Sequence, residues 1–269
     1  MERAMLPAGI SPVLPSLAAG LLSVTCLLSP GAAQAQSDEG QAKAILTAMT
    51  AYLAAAPSLS FDVDTSFEIV TTDDQKLAIA SSASVALQRP DKLRVVRHGG
   101  FDTVQLVFDG TTFSALSEEK LVYGQGEIPG SVDQLIDTLR DTYGRPLPAA
   151  DLLGSDAGAV LLEDVTEMRD LGSGVIRGQE CDHLAFRTPE VDWQIWIAQG
   201  DVPHPCRLVI TSHKVTGWPQ YTLDFSAWGS GGAKADFTFV APEGATKADL
   251  AAVPGLDDLA GIYAAPGGN

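Results

Sequence analysis

From Phe61 to Ile69 the chain alternates: Phe61, Val63, Thr65, Phe67 and Ile69 are separated by Asp62, Asp64, Ser66 and Glu68. Successive Cβ atoms of a strand point to opposite sides, so this pattern gives one apolar face and one face of acids and hydroxyls. A strand with one dry and one wet face belongs to an antiparallel sheet that covers a core on one side only. The same punctuation continues downstream. The turn TTDDQK leads into a long strand of small residues, Leu77 to Gln88, and Arg89-Pro90-Asp91-Lys92 turns the chain again. LRVVRHGG and FDTVQLVFDG make a pair around Gly99-Gly100, Asp109-Gly110 is a hairpin signal, and TTFSALSEEKLVYG supplies two short strands.

Helical periodicity occurs twice. Between Asp38 and Ala56, the residues Ala42, Ile45, Leu46, Met49, Tyr52 and Leu53 recur at three-and-four spacing until Pro57 stops the run. Ser131 and Gln134 then form a capping box ahead of Val132, Leu135, Ile136 and Leu139, one apolar face, with Pro146 and Pro148 beyond it. PAADLLG reads as one more helical turn. Strands resume in EDVTEMRDLG, GVIRGQE, CDHLAFRT, VDWQIWIAQ, CRLVITSH, PQYTLDFSAW and DFTFVAP. The expectation is about ten strands and two main helices, an α+β fold in which helices pack on one face of a large curved antiparallel sheet. A curled sheet with helices in its mouth encloses an apolar interior, a place for a ligand.

The N-terminus reads as an export signal. Arg3 precedes an apolar run from Ile10 to Leu28, Ser29-Pro30-Gly31 breaks it, and Ala33 and Ala35 form a small-x-small site. Cleavage is expected after Ala35, which leaves residues 36–269 as one domain with a frayed tail from about Ala264. Pro12, Pro15 and Gly20 interrupt the run and argue against a membrane anchor. Ser23-Val24-Thr25 is a poor lead-in for lipidation of Cys26. No other segment is apolar enough to span a membrane. The net charge of −17 argues against nucleic acid or an anionic membrane as the main partner.

The stretch CDHLAFRTPEVDWQIWIAQGDVPHPCRLVIT, followed by GWPQYTLDFSAW and FTFVAPEGA, resembles a domain-of-unknown-function family of predicted periplasmic proteins. The family's signature is Cys-x-His-Leu-Ala-Phe, Asp-Trp-Gln-x-Trp-Ile and Pro-x-Pro before a basic-aliphatic strand. The likeness runs from about Asp38 to Ala252. That family in turn looks like a branch of the LolA/LolB lipoprotein-carrier superfamily. The resemblance implies an unclosed antiparallel β-barrel with helices as a lid over a hydrophobic cavity that accepts acyl chains. It implies a periplasmic location and supplies no catalytic residue.

Cys181-x-His183 and His204-x-Cys206 admit several readings. Zinc accepts two thiolates and two imidazoles, but the spacing lacks the two-residue knuckle of a structural site. Cys181 with His183 has the elements of a thiolate–imidazole pair, yet no third orienting group is identifiable, and no nucleophile elbow, His-Glu-x-x-His or phosphate loop occurs. An even cysteine pair in an exported chain reads first as a disulfide, with two buried thiols as the rival. A turn at Pro189-Glu190 and a loop near Val202 put both cysteines level with Ala198, on either side of the strand between them. A Cys181–Cys206 bond is therefore expected to require that strand to end near Ile197.

These readings lead to a non-enzymatic exported protein without cofactor or metal, binding or carrying a lipid, a lipoprotein acyl chain or another apolar ligand. Phe61, Val63, Phe67, Leu106, Phe108 and Trp196 are expected to wall the cavity. Leu135 and Leu139, on the helix over Val132–Leu139, are expected to form its lid. The alternative is a structural protein of the cell envelope, its interior filled by its own side chains and its partner another protein.

Overall fold

The computed structural model describes residues 30–100, 102–143, 150–230 and 235–256. After a helix α1 (Pro30–Ala55) the chain runs through six consecutive strands: β1 (Ser58–Val70), β2 (Lys76–Gln88), β3 (Lys92–His98), β4 (Thr103–Phe108), β5 (Thr112–Ser117) and β6 (Val122–Glu127). Helices α2 (Val132–Asp141) and α3 (Ala157–Leu162) follow, with a 3₁₀ turn at Ala150–Leu152 between them. Five more strands form a second meander: β7 (Glu167–Ile176), β8 (Gln179–Arg187), β9 (Asp192–Ala198), β10 (Pro205–Thr211) and β11 (Gln220–Gly229). A short β12 (Thr246–Ala248) and a 3₁₀ turn at Leu250–Ala252 close the described chain.

All of these strands lie in one open sheet, ordered β12-β6-β5-β4-β3-β2-β1-β11-β10-β9-β8-β7. Each meander is antiparallel throughout, and they join where β1 pairs with β11, Phe67 opposite Tyr221 and Val63 opposite Phe225. The sheet is an unclosed half-barrel with β7 and β12 as its edges, so the α+β architecture expected from the alternation is the observed one. It is mixed at one place, because β12 runs parallel to β6.

The register explains the alternation. Phe61 sits opposite Val85, Leu59 opposite Leu87 and Phe67 opposite Ile79. Leu87 in turn faces Leu93, and Leu93 faces Phe108. One continuous inward row therefore crosses the sheet, and its outward counterpart carries Asp62 and Asp64. Ser84 Oγ donates to Asp62 at 2.6 Å and Ser82 Oγ to Asp64 at 2.7 Å. The inward row packs against Ala42, Leu46, Met49 and Leu53 of α1 and against Val132, Leu135, Ile136 and Leu139 of α2 in a single core. The α2 cap is formed as read: Ser131 Oγ accepts the Gln134 N–H at 3.3 Å, and Gln134 Oε1 accepts the Ser131 N–H at 2.8 Å.

Three local expectations are corrected. The first helix begins at Pro30 rather than after it. Proline at the first helical position gives up only an N–H that has no partner within the helix, so Pro30 fits the start of this helix. Ala35 lies inside this helix, whereas the apolar signal segment and the tail from Ala264 fall outside the described residues, as do Pro146 and Pro148. EDVTEMRDLG and GVIRG form one bent strand, β7, whose register shifts between Asp170 and Ser173 around Gly172 at φ +84°. DFTFVAP is not a strand.

Those residues instead begin a strap that wraps the β6 edge. Arg94 on the outward face donates to the Asp236 carbonyl at 3.2 Å, and Phe239 packs on Tyr123 with ring centres 5.6 Å apart. After β12 the chain crosses to the inward face, where Leu250 and Val253 enter the core. Glycine is required beneath it, since a Cβ at Gly124 would lie 2.6 Å from the Leu250 Cα.

Candidate functional site

Among the described residues the larger of the two apolar cores lies on the inward face of the sheet, and it has two regions. At one end Leu59, Leu87, Leu93 and Phe108 are buried in one core with residues of α1 and α2. Toward the β1–β2 hairpin that burial lessens. Along β1 the inward residues pass from Leu59, 1% exposed, through Phe61 and Val63, 6% and 7%, to half-buried Phe67 and Ile69. Their β2 partners follow suit: Leu87 is fully buried, while Ile79 and Leu77 are half-buried. The half-buried region continues onto Tyr221 and Ile210, which pair with each other across β10 and β11.

Each expected wall residue can now be placed. Phe61 and Val63 are core residues at the boundary of the covered region. Phe67 lies beyond it, edge-on to Tyr221 with ring centres 6.0 Å apart. Leu106 is half-buried and packs on the core, and Phe108, Leu135 and Leu139 are deep within it. Phe108 therefore fills the interior rather than lining a free surface, and Leu135 and Leu139 are the α2 side chains packed into the same core.

Trp196 is corrected. It pairs with His183 and Arg207 on the outward face of the sheet, opposite to the face that carries Phe61. The imidazole of His183 stacks on its indole, ring centres 4.0 Å apart and 14° from parallel, and the Arg207 guanidinium lies 6.0 Å from the ring centre. Arg207 is held there by a two-pronged pair with Asp224, at 2.7 and 3.0 Å.

The inward aromatics of this half are Trp193, stacked on Phe186 at 3.9 Å, and Trp228, stacked on Phe61 at 4.4 Å. Trp193 was legible, because it shares a face with Ile195 and Ile197. Trp228 was not. The register of β11 against β1 shifts between Ser60 and Asp62, and Ala227 adopts φ +54°. That bulge turns Trp228 inward together with Phe225, three positions before it.

The two cysteines form a second, small core on the outward face with Ala198, covered by Ile176 and Trp196. Cys181 pairs with Ala198, the register expected from the Pro189-Glu190 turn. The middle strand ends one residue beyond Ile197. Its last residue is Ala198, whose N–H donates to the His204 carbonyl at 2.9 Å. β10 bulges there: Pro205 faces Ile197 and Arg207 faces Trp196, so Cys206 is the extra residue between them. The expected disulfide is not formed in this structure. Both cysteines are free thiols with their sulfurs 2.7 Å apart.

Burial pushes the Cys181 thiol up and the Cys206 thiol up further, the adjacent sulfur adding to the effect at Cys206. Neither is disposed to be a thiolate nucleophile at neutral pH. The histidines are engaged elsewhere. His183 Nε2 meets Gln194 Oε1 at 3.0 Å, and His204 Nδ1 meets the Val202 carbonyl at 2.8 Å. Burial holds His204 below the usual histidine range. Among the described residues no group of three or more His, Cys, Asp or Glu side chains is placed to hold a metal ion, and no helix is long and apolar enough to cross a membrane.

Among solved structures the chain is similar to LprF from Mycobacterium bovis, with 13% identity over 75% of this chain and 99% of that one and a TM-score of 0.47. It is similar to the lipoprotein LppX from Mycobacterium tuberculosis, with 15% identity over 74% and 100% and a TM-score of 0.39. A LolA superfamily protein from Nitrosomonas europaea aligns at 12% identity over 70% and 92%, with a TM-score of 0.24. No curated protein matches the chain. Residues 42–251 match the family described as predicted periplasmic protein (DUF2092), which takes in the second half of α1, all of α2, the whole of both meanders and the strap as far as Ala251. The chain belongs to this periplasmic family.

Proposed function

We propose that the protein binds an apolar ligand, the acyl chain of a lipid or lipoprotein, on the half-buried part of the inward face, and does so without covalent chemistry. The observation that carries this reading is the gradient of burial along β1 and β2. The same inward row that is sealed at Leu59 and Leu87 emerges, still apolar, at Phe67, Ile69, Leu77 and Ile79. An acyl chain laid along these residues would gain roughly 25 cal/mol per Å² of apolar surface removed from water. Thr65 and Ser81 also lie in this row, their hydroxyls bonded to each other at 2.7 Å, while the acids stay on the outward face, so the ligand meets no charged group of β1 or β2. The test is to purify the protein from its own periplasm and examine it by native mass spectrometry, then to titrate it with a fluorescent long-chain fatty acid. A bound lipid-sized mass, and probe binding lost in Phe67→Glu with the fold retained, is the expected result. No co-purifying apolar molecule together with no probe binding would sink the reading.

A second reading has its own support. The covered half of the concavity is filled by the protein's own Leu46, Met49, Leu53, Leu135 and Phe108, all fully buried. On this view the half-buried patch is a seat for another envelope protein. Cross-linking in the periplasm from position 67 to a protein rather than to a lipid would favour it.

A further inference from the structure

We infer that Cys181 and Cys206 are a disulfide-forming pair that staples β8 to β10 across Ala198, and that the bond is made while the domain is folding, before the β7–β8 hairpin seats over it. The inference is independent of what occupies the inward face. Its basis is the local geometry. Cys181 pairs with Ala198, Cys206 is the bulged residue between the partners of Ile197 and Trp196, and both cysteines pack with Ala198. A methyl group leaves the space above β9 open, whereas a larger side chain at position 198 would stand between the sulfurs. The bulge that makes Cys206 an extra residue bends β10 toward that space. The sulfurs are then 2.7 Å apart, and a bond closes the distance to about 2.0 Å.

Access sets the order of events. Cys181 is 0% exposed and Cys206 4%, with Ile176 from the hairpin tip packed over them. The tip is further tied down by Arg177, whose guanidinium donates to Asp64 of β1 at 2.9 Å. A protein oxidant cannot reach sulfurs covered in this way, so exchange precedes closure. The oxidant is a disulfide, that of an oxidoreductase or of glutathione. One cysteine sulfur, as thiolate, attacks it and expels its second sulfur. The other cysteine then attacks the mixed disulfide. One S–S bond forms and one breaks, and the two protons and the electron pair leave on the two thiols of the oxidant. The raised pKa of both buried thiols fits a structural pair rather than a recycling exchange centre.

The bond also reaches the inward face. Pro205 precedes Cys206, and its carbonyl accepts the Trp228 indole N–H at 2.9 Å. Fixing Cys206 therefore fixes the acceptor that orients Trp228 over Phe61.

The test is peptide mapping of protein exported to the periplasm, denatured and treated with iodoacetamide without reductant. A linked pair of peptides containing Cys181 and Cys206 is expected, replaced by two alkylated peptides after reduction. In a second arm, reduced protein is refolded with or without glutathione disulfide present from the start. Bridging is expected only when the oxidant is present during folding, and reduced folded protein is expected to be alkylated at least tenfold more slowly than denatured protein. Two alkylated peptides from the unreduced periplasmic protein would overturn the bond. Equal bridging when oxidant is added after folding would overturn the order of events.

Discussion

The indole of Trp228 lies 4.4 Å from the ring of Phe61, 29° from parallel, while its N–H donates to the carbonyl of Pro205. One side chain thus ties the bulged end of β10 to the first strand of the other meander. Trp228→Phe keeps most of the stacking and loses the hydrogen bond, and should lower stability by about 1 kcal/mol. Urea denaturation followed by far-UV circular dichroism measures it. A variant as stable as the parent would show that the Pro205 contact contributes nothing.

Phe108 and Phe67 share a face and should behave differently. Phe108 is sealed, and Phe108→Ala should cost about 3–5 kcal/mol, the range for emptying a buried aromatic site. Phe67 is half-buried, so Phe67→Ala should cost about 1 kcal/mol while weakening binding of a fatty-acid probe. Equal losses of stability at both sites would show that the burial gradient has no energetic counterpart.

Gly124 lies directly under the strap. Gly124→Ala places a methyl group against the Leu250 backbone, which has to move, and should cost about 1–3 kcal/mol. The movement should appear as faster proteolysis between residues 235 and 256, with the meanders left intact. Unchanged cleavage there would contradict the close approach.

Asp192 should report on acid. Hydrogen bonds from Arg187, at 2.7 and 3.0 Å, and the charges of Arg187 and His213 hold its carboxyl below the usual aspartate range. A depressed folded pKa contributes stability that is fully present above the unfolded value, about 4, and is lost as pH falls through the folded one. Thermal melts of the parent and of Asp192→Asn should therefore differ by a constant amount above roughly pH 5 and converge below about pH 4. Curves that stay parallel into the acid range would show that Asp192 is not the group responsible.

Much of this was legible in local pattern. The alternation from Phe61 to Ile69 reports its own face, Ser131 and Gln134 report their own cap, and the turn at Pro189-Glu190 is closed by the Thr188 N–H bonded to the Val191 carbonyl at 2.9 Å. The same turn places Cys181 opposite Ala198. What was hidden depends on departures from the pattern or on distant chain. The bulges at Cys206 and Ala227 add a residue where strict period two predicts none, and so each re-aims a side chain. Gly124 reads as a weak strand residue until Leu250 lies on it. Period two sets Trp196 on the face opposite Trp193, Ile195 and Ile197, and the structure keeps that alternation, with Trp193 and not Trp196 in the inward core.

The pairing of β1 with β11 has a consequence for how the protein is made. Tyr221 meets Phe67 only after the intervening chain has been synthesised, so the first meander must wait with one flank unpaired. Until then β1 offers thirteen residues of bare backbone, with Phe61 and Phe67 on one side, to any other extended chain nearby. A nascent chain held at that stage is open to mispairing, and the late arrival of β11 is what ends the exposure.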